Sequence, residues 1–129
     1  GGKPAPGIGF GLGLERLMLV LDAAGIAPAA TVPDAYALVP DTQALPRIMP
    51  VLDALRAAGV AVLMHAGGGS LKSQFKRADA SGAAFALIFG ADELARGELS
   101  IKPLRDAAAA QRSRPLAGVA QWAHELRNA

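Results

Sequence analysis

One stretch near the start of the chain combines residue types that could bind a nucleotide. Positions 9–17 read GFGLGLERL, so that alternating glycines run directly into an arginine, Arg16. Glycines allow a ligand to lie against the backbone, and an arginine offers phosphate a planar, permanently charged fork of donors. A lone glycine-rich stretch is weak support for such a site. Without further context, Glu15 and Arg16 are ordinary solvated charges at the start of a helix.

A second stretch has the residues of an anion-binding or nucleic-acid-binding surface. Positions 65–79 read HAGGGSLKSQFKRAD, in which Ser70 could cap a helix that follows a glycine loop. The first backbone N–H groups of such a helix are free to bind an anion. Helical spacing brings Lys72 and Lys76 together one turn apart, with Arg77 beside them. The core-facing residues of this helix would be Leu71, Phe75 and Ala78. Charge alone favours an ordinary solvated basic face.

The composition excludes several other kinds of site. The 129 residues are 52% hydrophobic and 19% charged, enough for one compact domain with a short additional element. Cysteine is absent, which excludes disulfides and thiolate zinc sites. His65 and His124 have no partners at metal-ligand spacing, so we predict no metal site. No apolar stretch reaches the length of a membrane span, and a net charge of +2 is too small to indicate nucleic acid by itself.

The elements that would position these residues follow an α/β pattern. Apolar strands at 35–39, 60–64 and 85–89 alternate with helices at about 42–58 and 70–81, which predicts parallel strands covered on both faces. Pro50 should kink the first of these helices or delay its start. Residues 98–102 alternate in polarity, which predicts an antiparallel strand with Leu99 and Ile101 inward and a solvated opposite face. We therefore predict a three-layer α/β/α domain with a mixed sheet of about four to five strands.

The two ends of the chain are less regular. Residues 105–114 are either helical or a loop with a short strand, and Pro115 could begin a final helix. Near the start, residues 7–13 predict a short strand or tight loop, followed by a helix over 14–21 that Gly25 ends. This helix is apolar nearly all round, which is typical of buried helices. Residues 27–33 read as a linker, so we place a domain boundary between residues 1–30 and 31–129.

Three stretches together resemble one family. Positions 9–17, with GGKPAP at 1–6, resemble the third motif of class II aminoacyl-tRNA synthetases in its histidyl version. Positions 65–79 with Gly82 and Ala83, and positions 89–105, are similar to the anticodon-binding domain of histidyl-tRNA synthetases. The resemblance spans almost the whole chain and weakens from Ala107, because Pro103 and the alanine-rich stretch 106–111 depart from the family pattern. It implies a C-terminal fragment, in which a strand–helix remnant of the catalytic domain precedes an anticodon-binding domain.

The resemblance also implies roles for particular residues. In a full-length parent, Gly11 and Gly13 would line ATP and Arg16 would contact its γ-phosphate. An acidic and a basic residue that read anticodon bases in the family fall on Glu93 and Lys102; without the resemblance, they are an ion pair across a hairpin. The implied set of tRNA-contacting residues is Lys72, Gln74, Lys76, Arg77, Glu93 and Lys102.

The implied activity belongs to the parent rather than to this chain. The parent would be a cytoplasmic homodimer that activates histidine with ATP and Mg²⁺ and charges histidine tRNA. The chain lacks the other two class II motifs and a histidine pocket. We therefore expect it to be inactive, to use no cofactor of its own and to bind tRNA weakly. We also expect it either to self-associate through its apolar helix at 14–21 or to fold that helix over its own sheet.

Three alternatives remain open from the sequence. The domain could belong to a threonyl, prolyl or glycyl enzyme, although GGGSLKSQF at 67–75 favours histidine. It could be part of a non-catalytic, regulatory relative of the synthetases. It could also be a small nucleotide-binding α/β module with residues 67–70 as a phosphate loop, which lacks the lysine that such a loop places beside its serine or threonine.

Overall fold

The computed structural model describes residues 2–27, 31–65 and 67–127. The chain divides into two compact units, residues 1–31 and 32–129. We call residues 2–27, the described part of the first unit, the N-terminal segment. We call the described part of the second unit the sheet domain. The predicted linker at 27–33 falls partly outside the described residues, because 28–30 are not among them.

The N-terminal segment contains one helix. Residues 2–13 have no regular secondary structure, so the strand predicted at 7–13 is not formed. Helix α1 spans Leu14–Ala23 and is followed by Gly25, whose φ of 67° suits glycine. None of the residues of α1 is buried, and Leu14 and Leu19 are each 68% exposed. The burial that its apolar sequence predicts is therefore not met within the N-terminal segment.

The sheet domain is built on five strands. They are β1 (Ala35–Leu38), β2 (Val62–Met64), β3 (Phe85–Ile88), β4 (Glu98–Pro103) and β5 (Arg112–Pro115), in the spatial order β2-β1-β3-β4-β5. Strands β1, β2 and β3 are parallel, and β4 is antiparallel to both β3 and β5. The predicted mixed sheet is confirmed, with a second strand shorter than the sequence suggested.

The helices alternate with the strands along the chain. They are α2 (Leu45–Ala57) after a 3₁₀ turn at Thr42–Ala44, α3 (Leu71–Ala80), α4 (Ala91–Ala95) and α5 (Val119–Trp122), which continues as a 3₁₀ helix at Ala123–Leu126. The sequence prediction missed α4. Helix α2 runs through Pro50, so the prediction that this proline delays the helix start is wrong. The start is instead set upstream, where the Asp41 carboxylate accepts from the Gln43 N–H at 2.9 Å.

Two apolar layers enclose the sheet. On one face, α2 and the C-terminal helices bury the larger cluster, which includes Ile48, Leu52, Leu87, Trp122 and Leu126. On the other face, α3 covers a smaller cluster of Tyr36, Leu38, Ala78, Ala83 and Ala86. This is the predicted three-layer arrangement. The predicted core face of α3 is wrong at Leu71, which is 37% exposed.

The last part of the chain differs from the prediction. Arg112–Pro115 pairs with β4, so Pro115 ends a strand and does not begin the final helix. The helix begins after Gly118, whose φ of 67° turns the chain. Trp122 is an anchor of the core, and its indole N–H donates to the Pro115 carbonyl at 3.2 Å.

Candidate nucleic-acid interface

Helix α3 carries two lysines that no other side chain neutralises. Within the described part of the sheet domain, the ammonium groups of Lys72 and Lys76 have no hydrogen-bond or ion-pair partner, and both side chains are exposed. They lie four positions apart, about 40° around the helix. The buried face of the same helix is formed by Gln74 and Ala78. Two free positive charges therefore point away from the sheet, one turn apart, as phosphate binding requires.

An aromatic contact joins this helix to β4. The ammonium of Lys102 lies 5.1 Å from the centre of the half-buried Phe75 ring, in cation–π geometry. Phe75 is one residue before Lys76 on the helix, and Lys102 is exposed on β4, opposite Ala86 of β3. The cationic flank of α3 therefore continues directly onto the strand.

A second contact joins β4 to α4. The Ser100 hydroxyl donates to Oε1 of Glu93 at 3.0 Å. Ser100 and Lys102 are two positions apart on one strand, so their side chains lie on the same face of the sheet. Leu99 and Ile101 point to the opposite face and are fully buried, as predicted. We call the surface of Lys72, Phe75, Lys76, Glu93, Ser100 and Lys102 the α3–β4 face.

Arg77 does not share this face. It is exposed and has no ion-pair partner among the described residues. It follows Phe75 by two positions, about 200° around the helix, which places it on the flank away from β4. The contacts thus link Lys102 to α3 through Phe75, and β4 to Glu93 through Ser100. Lys72 and Lys76 lie on the exposed side of the same helix, with Arg77 on its other flank.

Gln74 requires a correction. It was predicted among the residues that contact RNA, but its side chain is fully buried. Its amide oxygen accepts from the Val39 N–H at 2.8 Å, and its amide nitrogen donates to the carbonyls of Val39 and Gly69 at 3.0 and 3.1 Å. Direct contact with RNA is excluded by this burial. Gln74 instead ties the start of α3 and the glycine loop to the end of β1.

A buried histidine holds the same loop. His65 is 6% exposed, and its Nε2 lies 2.6 Å from the Gly68 carbonyl while its Nδ1 lies 3.4 Å from the Tyr36 hydroxyl. Gly68 and Gly69 both have positive φ values, 63° and 100°, which suit glycine. Tyr36 and His65 therefore have structural roles. Ala66, within the predicted motif, lies outside the described residues.

The sequence did not single out Phe75 or Ser100 as part of the site. Phe75 fits helical spacing for the core, and nothing in its position reveals that a strand lysine covers its ring. Ser100 lies on the face predicted to be solvated, yet it is 3% exposed. Ser100 is buried because helix α4, which the sequence did not predict, brings Glu93 over strand β4.

The nucleotide-binding residues implied at the start of the chain lie in the open. Arg16 is exposed in the first turn of α1, and Gly11 has no other atom within 4 Å of where a side chain would begin. The residue types fit one wall of a phosphate site, since a free guanidinium follows bare glycine backbone. They do not enclose a ligand by themselves.

The described residues have neither a metal-binding cluster nor a membrane-spanning helix. Residues 2–27, 31–65 and 67–127 contain no group of three or more histidine or acidic side chains placed to hold a metal ion. None of the helices in the described ranges is both long and apolar enough to span a membrane.

Comparison with known proteins identifies the family of the chain. The family model described as "Anticodon binding domain" matches residues 26–126. The chain is 53% identical to the histidine–tRNA ligase of Acidovorax ebreus (strain TPSY), over 99% of the chain and 31% of that relative. It is 48% identical to the enzyme of the same name from Dechloromonas aromatica (strain RCB), over 86% of the chain and 26% of that relative.

Solved structures give the same result. The histidyl-tRNA synthetase of Nostoc sp. PCC 7120 superposes with a TM-score of 0.65 at 31% identity, covering 88% of this chain and 28% of that one. The RNA-binding domain of threonyl-tRNA synthetase from Cryptosporidium parvum Iowa II shares the fold alone, with a TM-score of 0.65 at 15% identity over 87% of this chain and 28% of that one. The chain thus spans under a third of the relatives that it matches. Since the family model covers most of its length, the chain belongs to the anticodon-binding domain family.

Proposed function

We propose that this chain binds the anticodon stem and loop of histidine tRNA, as the C-terminal part of a histidine–tRNA ligase. The relatives named above support the amino-acid specificity, and the α3–β4 face supports the site. The observation that carries the proposal is the continuity of that face. Free cations at Lys72 and Lys76 lie on the helix whose Phe75 contacts Lys102, and Lys102 lies two residues along β4 from the serine that contacts Glu93.

The side chains on this face divide the recognition of RNA between them. Lys72 and Lys76 would neutralise backbone phosphates, which contributes affinity that depends on salt but not on sequence. Glu93 would accept from base amino groups, and Lys102 would reach base acceptors or a phosphate. Arg77, on the other flank of α3, would meet a peripheral phosphate.

A salt titration tests the phosphate contacts. We would measure binding of a fluorescent RNA hairpin, carrying the anticodon stem and loop of histidine tRNA, at several salt concentrations. Lys76→Gln should weaken binding and reduce the slope of log affinity against log salt by about one unit. Lys3→Gln, which removes the same charge from the N-terminal segment, is the matched control. An unchanged slope for Lys76→Gln would show that Lys76 meets no phosphate.

The catalytic activity would belong to the longer protein. There, Gly11, Gly13 and Arg16 would contact ATP, which with Mg²⁺ supplies the activating phosphoryl chemistry for histidine. The domain boundary would fall between residues 30 and 31, and the parent would act as a cytoplasmic homodimer. The present chain should not catalyse histidine-dependent ATP–pyrophosphate exchange, because it spans under a third of the relatives that it matches. Exchange by the purified chain would overturn this assignment.

The exposed helix α1 supports one further expectation about the isolated chain. Its Leu14, Leu19 and Val20 are each more than 60% exposed, and exposed apolar surface of this kind favours association. We expect concentration-dependent self-association in sedimentation velocity. Leu19→Lys should reduce it, whereas a monomer at all concentrations would contradict the expectation.

A further inference from the structure

Ser100 lies between the two side chains proposed to read bases. It is on β4, opposite Ile88 of β3 and Ser113 of β5, and it is 3% exposed. Its side chain lies on the same face as that of Lys102, two positions further along the strand. A buried hydroxyl costs stability unless it is hydrogen-bonded. Within the described residues, the hydroxyl of Ser100 forms one hydrogen bond, to Glu93.

That hydrogen bond fixes one oxygen of the Glu93 carboxylate. The hydroxyl donates to Oε1 at 3.0 Å, and the Glu93 side chain is half-buried. A hydrogen bond to a charged group contributes more stability than one between neutral groups. A flexible glutamate on a five-residue helix is thereby held in one orientation over the strand.

The second oxygen of the Glu93 carboxylate has its place because Gly90 has no side chain. A Cβ added at Gly90 would overlap with Oε2 of Glu93, which therefore lies against bare backbone. The backbone of Gly90 is extended, with φ at −73°, so an alanine would adopt it without strain. A larger residue at 90 would therefore push the carboxylate away and leave the fold intact. Ser100 and Gly90 together define where the acceptor of Glu93 points.

We propose that Ser100 is a positioning residue for anticodon-base discrimination, which holds the Glu93 carboxylate in the orientation that a base meets. The inference rests on the proposed RNA-binding function. A carboxylate that is already oriented loses less conformational freedom when it accepts from a base. It also rejects bases that offer no donor at that place, because its oxygens would then be left unpaired.

The test compares discrimination rather than affinity. We would titrate the full chain with the histidine anticodon hairpin and with hairpins that carry one changed base at each anticodon position. Ser100→Ala should lower the largest ratio of dissociation constants by about threefold to tenfold, the range for one hydrogen bond. Ser113→Ala, an exposed serine on the neighbouring strand, should leave the ratio unchanged.

Two further variants separate positioning from a merely structural role. Gly90→Ala should lower the ratio as Ser100→Ala does, although Ser100 is intact; it also carries the test if Ser100→Ala does not fold. In a Glu93→Gln background, Ser100→Ala should have little further effect, because the two residues act through one contact. A folded Ser100→Ala protein that keeps the wild-type ratio would overturn the inference. The inference would also fail if Ser100→Ala lowered the ratio by the same factor in the Glu93→Gln background as in the wild type. If the wild-type chain itself fails to bind the hairpin, the proposed function fails, and the inference with it.

Discussion

The two regions of this chain have similar apolar residues in opposite environments. In the sheet domain, Leu52 and Leu87 are fully buried between helices and sheet. In the N-terminal segment, Leu14 and Leu19 are mostly exposed on a helix with no buried residue. Periodicity predicts that both groups of leucines belong in a core, but only the sheet domain supplies the surfaces to enclose them. The sheet domain encloses its own leucines, whereas the described N-terminal segment leaves its leucines exposed.

Matched leucine truncations should show the largest difference between the regions. Leu52→Ala removes a fully buried side chain and should lower the free energy of unfolding by about 2–5 kcal/mol. Leu19→Ala removes the same atoms from an exposed site and should change it by less than about 0.5 kcal/mol. Urea unfolding followed by circular dichroism measures both. Equal effects would mean that α1 shares a core with the rest of the chain, and the comparison would fail.

A buried amide should show a smaller effect, confined to the sheet domain. Gln74→Ala leaves the N–H and carbonyl of Val39 without their partner and should cost about 1–3 kcal/mol. Gln43→Ala, at an exposed glutamine, is the control and should be close to neutral. The same unfolding assay applies. A neutral Gln74→Ala would show that the glycine loop is held by other contacts, such as that of His65 with Gly68.

Local sequence patterns predicted several elements of the sheet domain correctly. The strands at 35–38 and 85–88 were predictable because continuously apolar runs between helices indicate a buried parallel sheet. The cap at Ser70 was predictable because a short polar side chain there matches the free N–H groups of a helix start. These features depend on neighbours in the sequence.

Features that depend on distant contacts were missed. Helix α4 has five residues, too few for a periodic signal, and without it the burial of Ser100 is invisible. Gln74 is polar and was placed among exposed residues, because its partner Val39 is 35 positions away in the chain. The final helix was started at Pro115, because the pairing of Arg114 with Leu99 does not appear in the local pattern. The site is therefore less predictable than the fold that carries it.

The smallest expected effect is a change in the stability of the chain with pH. It also arises in the sheet domain. Burial raises the pKa of the Glu125 carboxyl, but the hydrogen bond and charge of Arg114, with the charges of Arg112 and His124, outweigh burial and lower that pKa overall. Nη2 of Arg114 donates to both oxygens of this carboxylate at 2.8 Å, and Nε of Arg114 donates to Oε1 at 3.1 Å. Nε of Arg112 lies 3.1 Å from Oε2 as an ion pair without hydrogen-bond geometry.

The lowered pKa fixes the sign of the effect. The stabilisation by Glu125 is present above the ordinary range of a glutamate carboxyl and is lost as pH falls through the lowered pKa of the folded state. Glu125→Gln should lower stability at neutral pH by about 1 kcal/mol, since the cluster is partly exposed, and should flatten the acid limb of stability against pH. Asp53→Asn, which removes the exposed partner of Arg56, is the control and should change little. An unchanged acid limb in Glu125→Gln would contradict the assignment of the pKa shift.

In the proposed function, the α3–β4 face of the sheet domain binds RNA and the N-terminal segment does not. The most direct measurement is a titration of the isotope-labelled chain with the histidine anticodon hairpin, followed by backbone amide chemical shifts. We predict that the shifts that change cluster at residues 72–76, 90–93 and 100–102, with residues 2–27 unaffected. Changes concentrated on α2 and α5, on the opposite face of the sheet, or within residues 2–27, would contradict the account.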